Sequence, residues 1–158
     1  MNIVRLIEYN TWANTQVAGQ IATLAKDLFE KEIGGSFPSM RATMAHMVDS
    51  DWLWLNRWKG IPLAEVPVWP SENASILNEK WKVIRDEMVS VAQTFIDRPD
   101  TPIKFTTRAG KDFVLSFEEI VFQVSHHGSY HRGQLTNMIR IVGEKPVSTD
   151  YFLFAIRK

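Results

Sequence analysis

Hydrophobic residues recur along most of this chain at alternating steps of three and four, the spacing that gathers them into one stripe of an α-helix. The series Leu77, Trp81, Ile84, Met88, Val91, Phe95 shows it most cleanly. An earlier series runs through Ile3, Leu6 and Ile7, Asn10, Ala13 and Asn14, Val17, Ile21, Leu24 and Leu28, which predicts one long first helix with two asparagines on or beside its seam. A second helix is expected to open within residues 36–39, with Pro38 tolerated in its first turn, and to run to Gly60 ahead of the breaker Pro62. It is rich in large apolar groups: Met44, Met47, Val48, Trp52, Leu53, Trp54, Leu55 and Trp58. The last long helix starts at Ser116, where Ser116 and Glu119 form a capping box, and ends near Gly143, with Pro146 beyond.

Between the third and last helices, residues 103–115 alternate and favour β structure around Arg108, Ala109, Gly110 and Lys111, which reads as a short hairpin. Pro62, Pro67 and Pro70 make the preceding crossing a loop, long enough that the second and third helices need not be simple antiparallel neighbours. The tail at residues 150–154 is apolar enough to pack back on the bundle. The expected fold is therefore all-α, a four-helix bundle with a short β-hairpin between helices three and four, forming one domain over residues 1–158.

Charge and composition narrow the chemistry. The 18 Lys+Arg balance 18 Asp+Glu, which removes the attraction that non-specific binding to nucleic acid or to an anionic membrane requires. There is no cysteine, hence no disulfide framework, thiolate metal site or cysteine nucleophile. Chemistry has to come from histidine, carboxylates, hydroxyls or a cofactor. Arg5 and Glu8 interrupt what would be a signal-peptide core, and polar residues such as Asn10, Asn14 and Gln16 fill the longest uncharged window, so no membrane span and a cytoplasmic location are expected.

The histidines carry the most information. On a helix, positions i and i+4 lie about 40° apart, so His127 and His131 can aim at one ion, whereas His126 is turned about 100° from His127 and cannot join them. The seam Ile120, Val124, Leu135, Met138 and Val142 continues through His127 and His131, which points the pair into the bundle. His46, with Ala42 one turn back and Leu53 one heptad on, also faces inward and offers a third ligand. Spacing leaves two readings open: a shared metal with open coordination positions, or imidazoles hydrogen-bonded within the core. No Glu-x-x-His or His-Glu-x-x-His motif occurs, against a ferritin-like di-iron site and a zincin protease. Asp49 and Asp51 are candidates to orient an imidazole, and Ser125, Gly128 and Ser129 give the last helix a small-residue face suited to close packing.

The chain resembles the DinB/YfiT-like superfamily of metalloenzymes. The likeness rests on His127-Gly128-Ser129-Tyr130-His131-Arg132-Gly133-Gln134, on Tyr9-Asn10 with Trp12-Ala13-Asn14, on Gly34-Gly35-Ser36-Phe37 followed by Ala45-His46-Met47-Val48 to Trp54, and on Asp150-Tyr151. These landmarks run along nearly the whole chain. The resemblance implies up-down-down-up connectivity, a homodimer, and a divalent ion, nickel or zinc, held by His46, His127 and His131. It further implies an enzyme that uses a low-molecular-weight thiol, a transferase or isomerase, acting on a small molecule rather than on nucleic acid or membrane. Asn10, Asn14, Tyr130 and Gln134 are the candidates for supporting or substrate-lining contacts, and Arg132 belongs to the same motif. The competing reading is a non-catalytic metal-binding or stress-related helical module.

Overall fold

The structure, a computed structural model, describes residues 2–62 and 65–157. Among the described residues, six helices and one hairpin follow in the order α1 (Ile3–Ile21), α2 (Lys26–Glu30), α3 (Met40–Trp58), α4 (Ala74–Gln93), β1 (Pro102–Thr106), β2 (Asp112–Ser116), α5 (Phe117–Ile141) and α6 (Tyr151–Ala155). The four long helices form the bundle. Each of α1 and α3 packs against both α4 and α5, so consecutive long helices are not always neighbours.

Side-chain contacts give the directions. Asn10 and Asn14 of α1 meet Arg132 of α5, and Gln20 meets the backbone at Lys145 and Val147, so α1 and α5 run parallel. Thr43 reaches Met138 while Trp58 packs on Phe117, which makes α3 antiparallel to α5. Trp81 binds Asp51 and Lys59 binds Glu87, so α4 runs parallel to α3. The connectivity is therefore up-down-down-up, and the proline-containing crossing is what allows two parallel helices to be both consecutive and adjacent.

Helix ends follow local chemistry. Asn2, Ser39 and Asn73 cap α1, α3 and α4 by accepting a backbone N–H in the first turn. Ser116 and Glu119 form the full reciprocal capping box on α5, and Gly143 just past its end adopts φ 90°. Two boundaries differ from the sequence expectation. The first helix stops at Ile21 rather than reaching Leu28: Thr23 Oγ1 turns back to the Gln20 carbonyl, Ala25 is extended, and the short α2 carries Phe29 into the core. Pro38 precedes the Ser39 cap instead of lying in the first turn of α3.

The hairpin pairs Ile103 with Leu115 and Phe105 with Phe113, turning at Gly110. Ile103 is buried, and Phe105 meets Trp54 edge-on, so the hairpin lies against the C-terminal part of α3. The tail packs back along α1: Tyr9 donates to the Thr149 carbonyl, and Tyr151 and Phe154 lie on the Tyr9 ring. No helix among the described residues is long and apolar enough to cross a membrane.

The core is largely apolar, with Trp81, Phe29, Phe117 and Leu135 among its fully enclosed side chains, and Trp54 and Trp58 are buried in it as well. A polar layer interrupts it. Arg132, 3% exposed, donates from Nη1 to Asn10 Oδ1 (2.6 Å) and Asn14 Oδ1 (2.7 Å), and from Nη2 to Ser129 Oγ (2.8 Å). On the α3–α4 side, Trp81 Nε1 donates to Asp51 Oδ2 (2.7 Å), and the enclosed Arg85 lies over the Trp81 ring and donates to Asn78. Burial pushes the Asp51 carboxyl up to about 6, against the Trp81 hydrogen bond and the Arg85 and Arg132 charges that pull it down.

Candidate metal centre

Three imidazoles converge where α3 passes α5. His46 comes from the second turn of α3, and His127 and His131 from successive turns of α5. His127 Nε2 stands 3.1 Å from His46 Nε2 and 3.1 Å from His131 Nε2. These three are the one group among the described residues whose donor atoms lie close enough together to hold an ion, all within 4.8 Å of one another. His131 is buried, His46 and His127 are half-buried. His126 is exposed, with Nδ1 at the Phe122 carbonyl one turn back, as its 100° offset requires.

The groups around the imidazoles orient them. Gln134 Oε1 accepts from His131 Nδ1 at 2.7 Å, which puts that ring's proton on Nδ1 and leaves Nε2 with its lone pair. Ser50 Oγ faces His127 Nδ1 at 3.4 Å. Phe37 stacks on His46, with centroids 4.4 Å apart, and meets His131 edge-on, while Tyr130 stands edge-on to His131 from the exposed side.

This donor set fits a divalent cation. His127 Nε2 carries one proton or one lone pair, so it can hydrogen-bond to one of the two Nε2 atoms 3.1 Å from it but not to both, whereas a cation would satisfy all three nitrogens. A charged imidazolium is disfavoured there, because burial and then the neighbouring His131 and His46 push His127 down to about 4, and burial likewise lowers His46. Bonds of about 2.0–2.1 Å to a common ion would separate ligand nitrogens by about 3.0–3.4 Å, close to the spacing seen.

The other candidates are placed as follows. Gln134 and Tyr130 touch His131. Asn10 and Asn14 face Arg132 in the polar layer and have no hydrogen bond to a histidine. Asp49 accepts from Trp69 and Asp51 from Trp81, and neither carboxylate has a hydrogen bond to an imidazole, although the Asp49 charge raises His46 against its burial. Gly128 shows why the small-residue face is needed: a Cβ there would overlap Asn10 Oδ1 and stand 2.8 Å from Arg132 Nη1. Sequence reasoning assigned no role to Phe37 or Ser50. Ser50 lies one turn beyond His46, a spacing that could have drawn attention to it, whereas Phe37 arrives from a loop and leaves no periodic trace.

Comparison with known proteins agrees with this picture. The chain is 26% identical over 157 residues to the protein DinB of Bacillus subtilis (strain 168), covering 95% of this chain and 91% of the relative. Its fold matches that of YfiT from Bacillus subtilis with a TM-score of 0.71 at 13% identity, over 89% of this chain and 87% of the other. YfiT is described as "a probable metal-dependent hydrolase with an unusual four-helix bundle topology". The DinB family pattern matches residues 1–157, essentially end to end, and the chain belongs to the DinB family.

Proposed function

We propose that this protein is a divalent-metal-dependent enzyme in which His46, His127 and His131 hold a nickel or zinc ion and a small nucleophile attacks an electrophilic substrate. The observation that carries this is the convergence of three Nε2 atoms with no carboxylate joining them among the described residues. Three protein ligands suit a catalytic rather than a closed structural site, since structural zinc takes four. Such an ion supplies Lewis acidity and lowers the pKa of a thiol or water bound to it, which suits a chain without cysteine. Gln134 keeps the His131 proton on Nδ1, and Phe37 covers one face of His46 and limits the approach of water there.

A low-molecular-weight thiol is the nucleophile in the leading reading, which makes the protein a transferase or isomerase. Water is the nucleophile in the second, which the description of YfiT favours. Elemental analysis of tag-free protein loaded with zinc or nickel should give about one ion per chain, lost in His46→Ala and His127→Ala. The loaded protein is then offered a chloronitrobenzene with glutathione, bacillithiol or mycothiol, and separately an activated ester without thiol. Turnover of the first alone establishes the transferase reading, and of the second alone the hydrolase. Full metal occupancy with neither reaction would replace both by the non-catalytic module.

A further inference from the structure

One face of α3 connects the histidines to a second feature. His46, Ser50, Leu53 and Arg57 follow at steps of four, three and four, so they share one stripe. Ser50 touches His127, whereas Leu53 and Arg57 line an open cleft of about 950 Å³ between α3, the residues that follow it and the hairpin. That volume suits a ligand of a few hundred daltons. At 1.5 Å per residue, Leu53 lies about 10 Å and Arg57 about 16 Å along the helix from His46.

The lining combines apolar walls with an excess of positive charge. Leu53, Ile61 and Phe105 supply the walls, and Arg57, Lys104 and Arg108 outnumber Glu65, the one carboxylate of the described lining. Arg57 is held in place: its guanidinium lies over both the Trp54 and Phe105 rings, 4.4 and 4.7 Å from their centroids, and Nη2 donates to the Thr106 carbonyl. Its Nε is enclosed and has no acceptor. Arg108, at the hairpin tip, is 60% exposed and makes only a 3.7 Å pairing with Asp49. The two guanidiniums repel, as the lowering of Arg57 by burial and then by Arg108 reflects. An Arg held over two aromatic rings, beside an exposed second Arg whose one ion pair is a long 3.7 Å contact with Asp49, offers a carboxylate two guanidiniums.

We infer that this cleft binds an elongated organic carboxylate, its anionic end held by Arg57 and Arg108 and its other end directed along α3 toward the histidines. Resting on the proposed function, this makes the substrate or its thiol an acid whose carboxylate lies two to three helical turns from the reacting atom. A neutral or cationic molecule of the same shape would gain no charge-assisted contact with the guanidiniums and bind less well.

The test is calorimetric titration of the full chain with phenylbutyrate and with its uncharged amide. Phenylbutyrate is expected to bind at least about tenfold more tightly, with a preference that weakens as salt rises and is lost in Arg108→Gln and Arg57→Gln. Arg108 is exposed on the hairpin, so Arg108→Gln carries the test even if Arg57→Gln fails to fold. Equal affinity for acid and amide, no saturable binding of either, or an unchanged preference in Arg108→Gln would overturn the inference. Zinc titration of the same samples separates the two ideas. Zinc uptake without a carboxylate preference removes the cleft and keeps the metal centre, and a carboxylate preference without zinc uptake does the reverse.

Discussion

Two glycines on α5 should respond to the same substitution with opposite signs. At Gly128 a methyl group would overlap Asn10 Oδ1 and crowd Arg132 Nη1, while at Gly133, five residues on, it would meet nothing within 4 Å. Overpacking a filled interior costs about 1–3 kcal/mol, and pulling one acceptor from a buried guanidinium a further 1.5–3 kcal/mol or so. Replacing helical glycine by alanine returns about 1 kcal/mol. Gly128→Ala should therefore destabilise by about 1.5–5 kcal/mol, a fall of about 3–20 °C in Tm for a domain of this size. Gly133→Ala should be neutral or stabilising by up to about 1 kcal/mol. Urea unfolding followed by tryptophan fluorescence and by circular dichroism measures both. If Gly128→Ala is no less stable than Gly133→Ala, then α1 and α5 do not approach as closely as drawn, and the Asn10–Arg132–Asn14 arrangement falls with that contact.

Other outcomes follow from the buried charges and caps. The Asp51 carboxyl stands at about 6 when folded against 3.8 unfolded, so its contribution is full below 3.8 and is lost as pH rises through about 6. Asp51→Asn should accordingly gain on the wild type across that window, and a constant difference between the two in urea titrations would refute the burial argument. His127 has the opposite sign. Its folded value of about 4 lies below the 6.5 of the free side chain, so metal-free protein should lose stability as pH falls from 6.5 toward 4, a slope that His127→Ala should flatten. Trp81→Phe removes the donor to a buried carboxylate and should cost about 1–3 kcal/mol in the same assay. Ser116→Ala breaks the capping box of α5 and should cost about 1 kcal/mol, seen as a lower denaturation midpoint at unchanged slope.

What the sequence disclosed depended on whether the information was local. The α5 boundaries were legible because Ser116, Glu119 and Gly143 each stop or start a helix by their own chemistry. The break after Ile21 was not, since residues 22–25 hold neither glycine nor proline and the apolar spacing carries on to Leu28; burial of Phe29 decides it. His127 and His131 could be paired from their separation alone, and His46 followed from its inward stripe and from the family resemblance. Asn10, Asn14 and Arg132 each drew notice separately, but nothing local reveals that they bind one another across 122 and 118 residues of chain. Burial of Asp51 and Arg85 was likewise invisible, because each sits in a stretch where a charged residue on the solvent face would read the same way.

The parallel pairing of α1 with α5 bears on how the chain emerges from a ribosome. α1 is made before α4 and α5, yet these are its bundle neighbours. Until then its seam has no permanent cover, and an unbroken apolar stripe would invite association with other nascent chains. Asn10 and Asn14 interrupt that stripe with amides that water solvates well. The same oxygens later accept from Arg132, so the polar notch that keeps the unfinished helix from sticking becomes, on completion, the socket that fixes the register of the helix carrying His127 and His131.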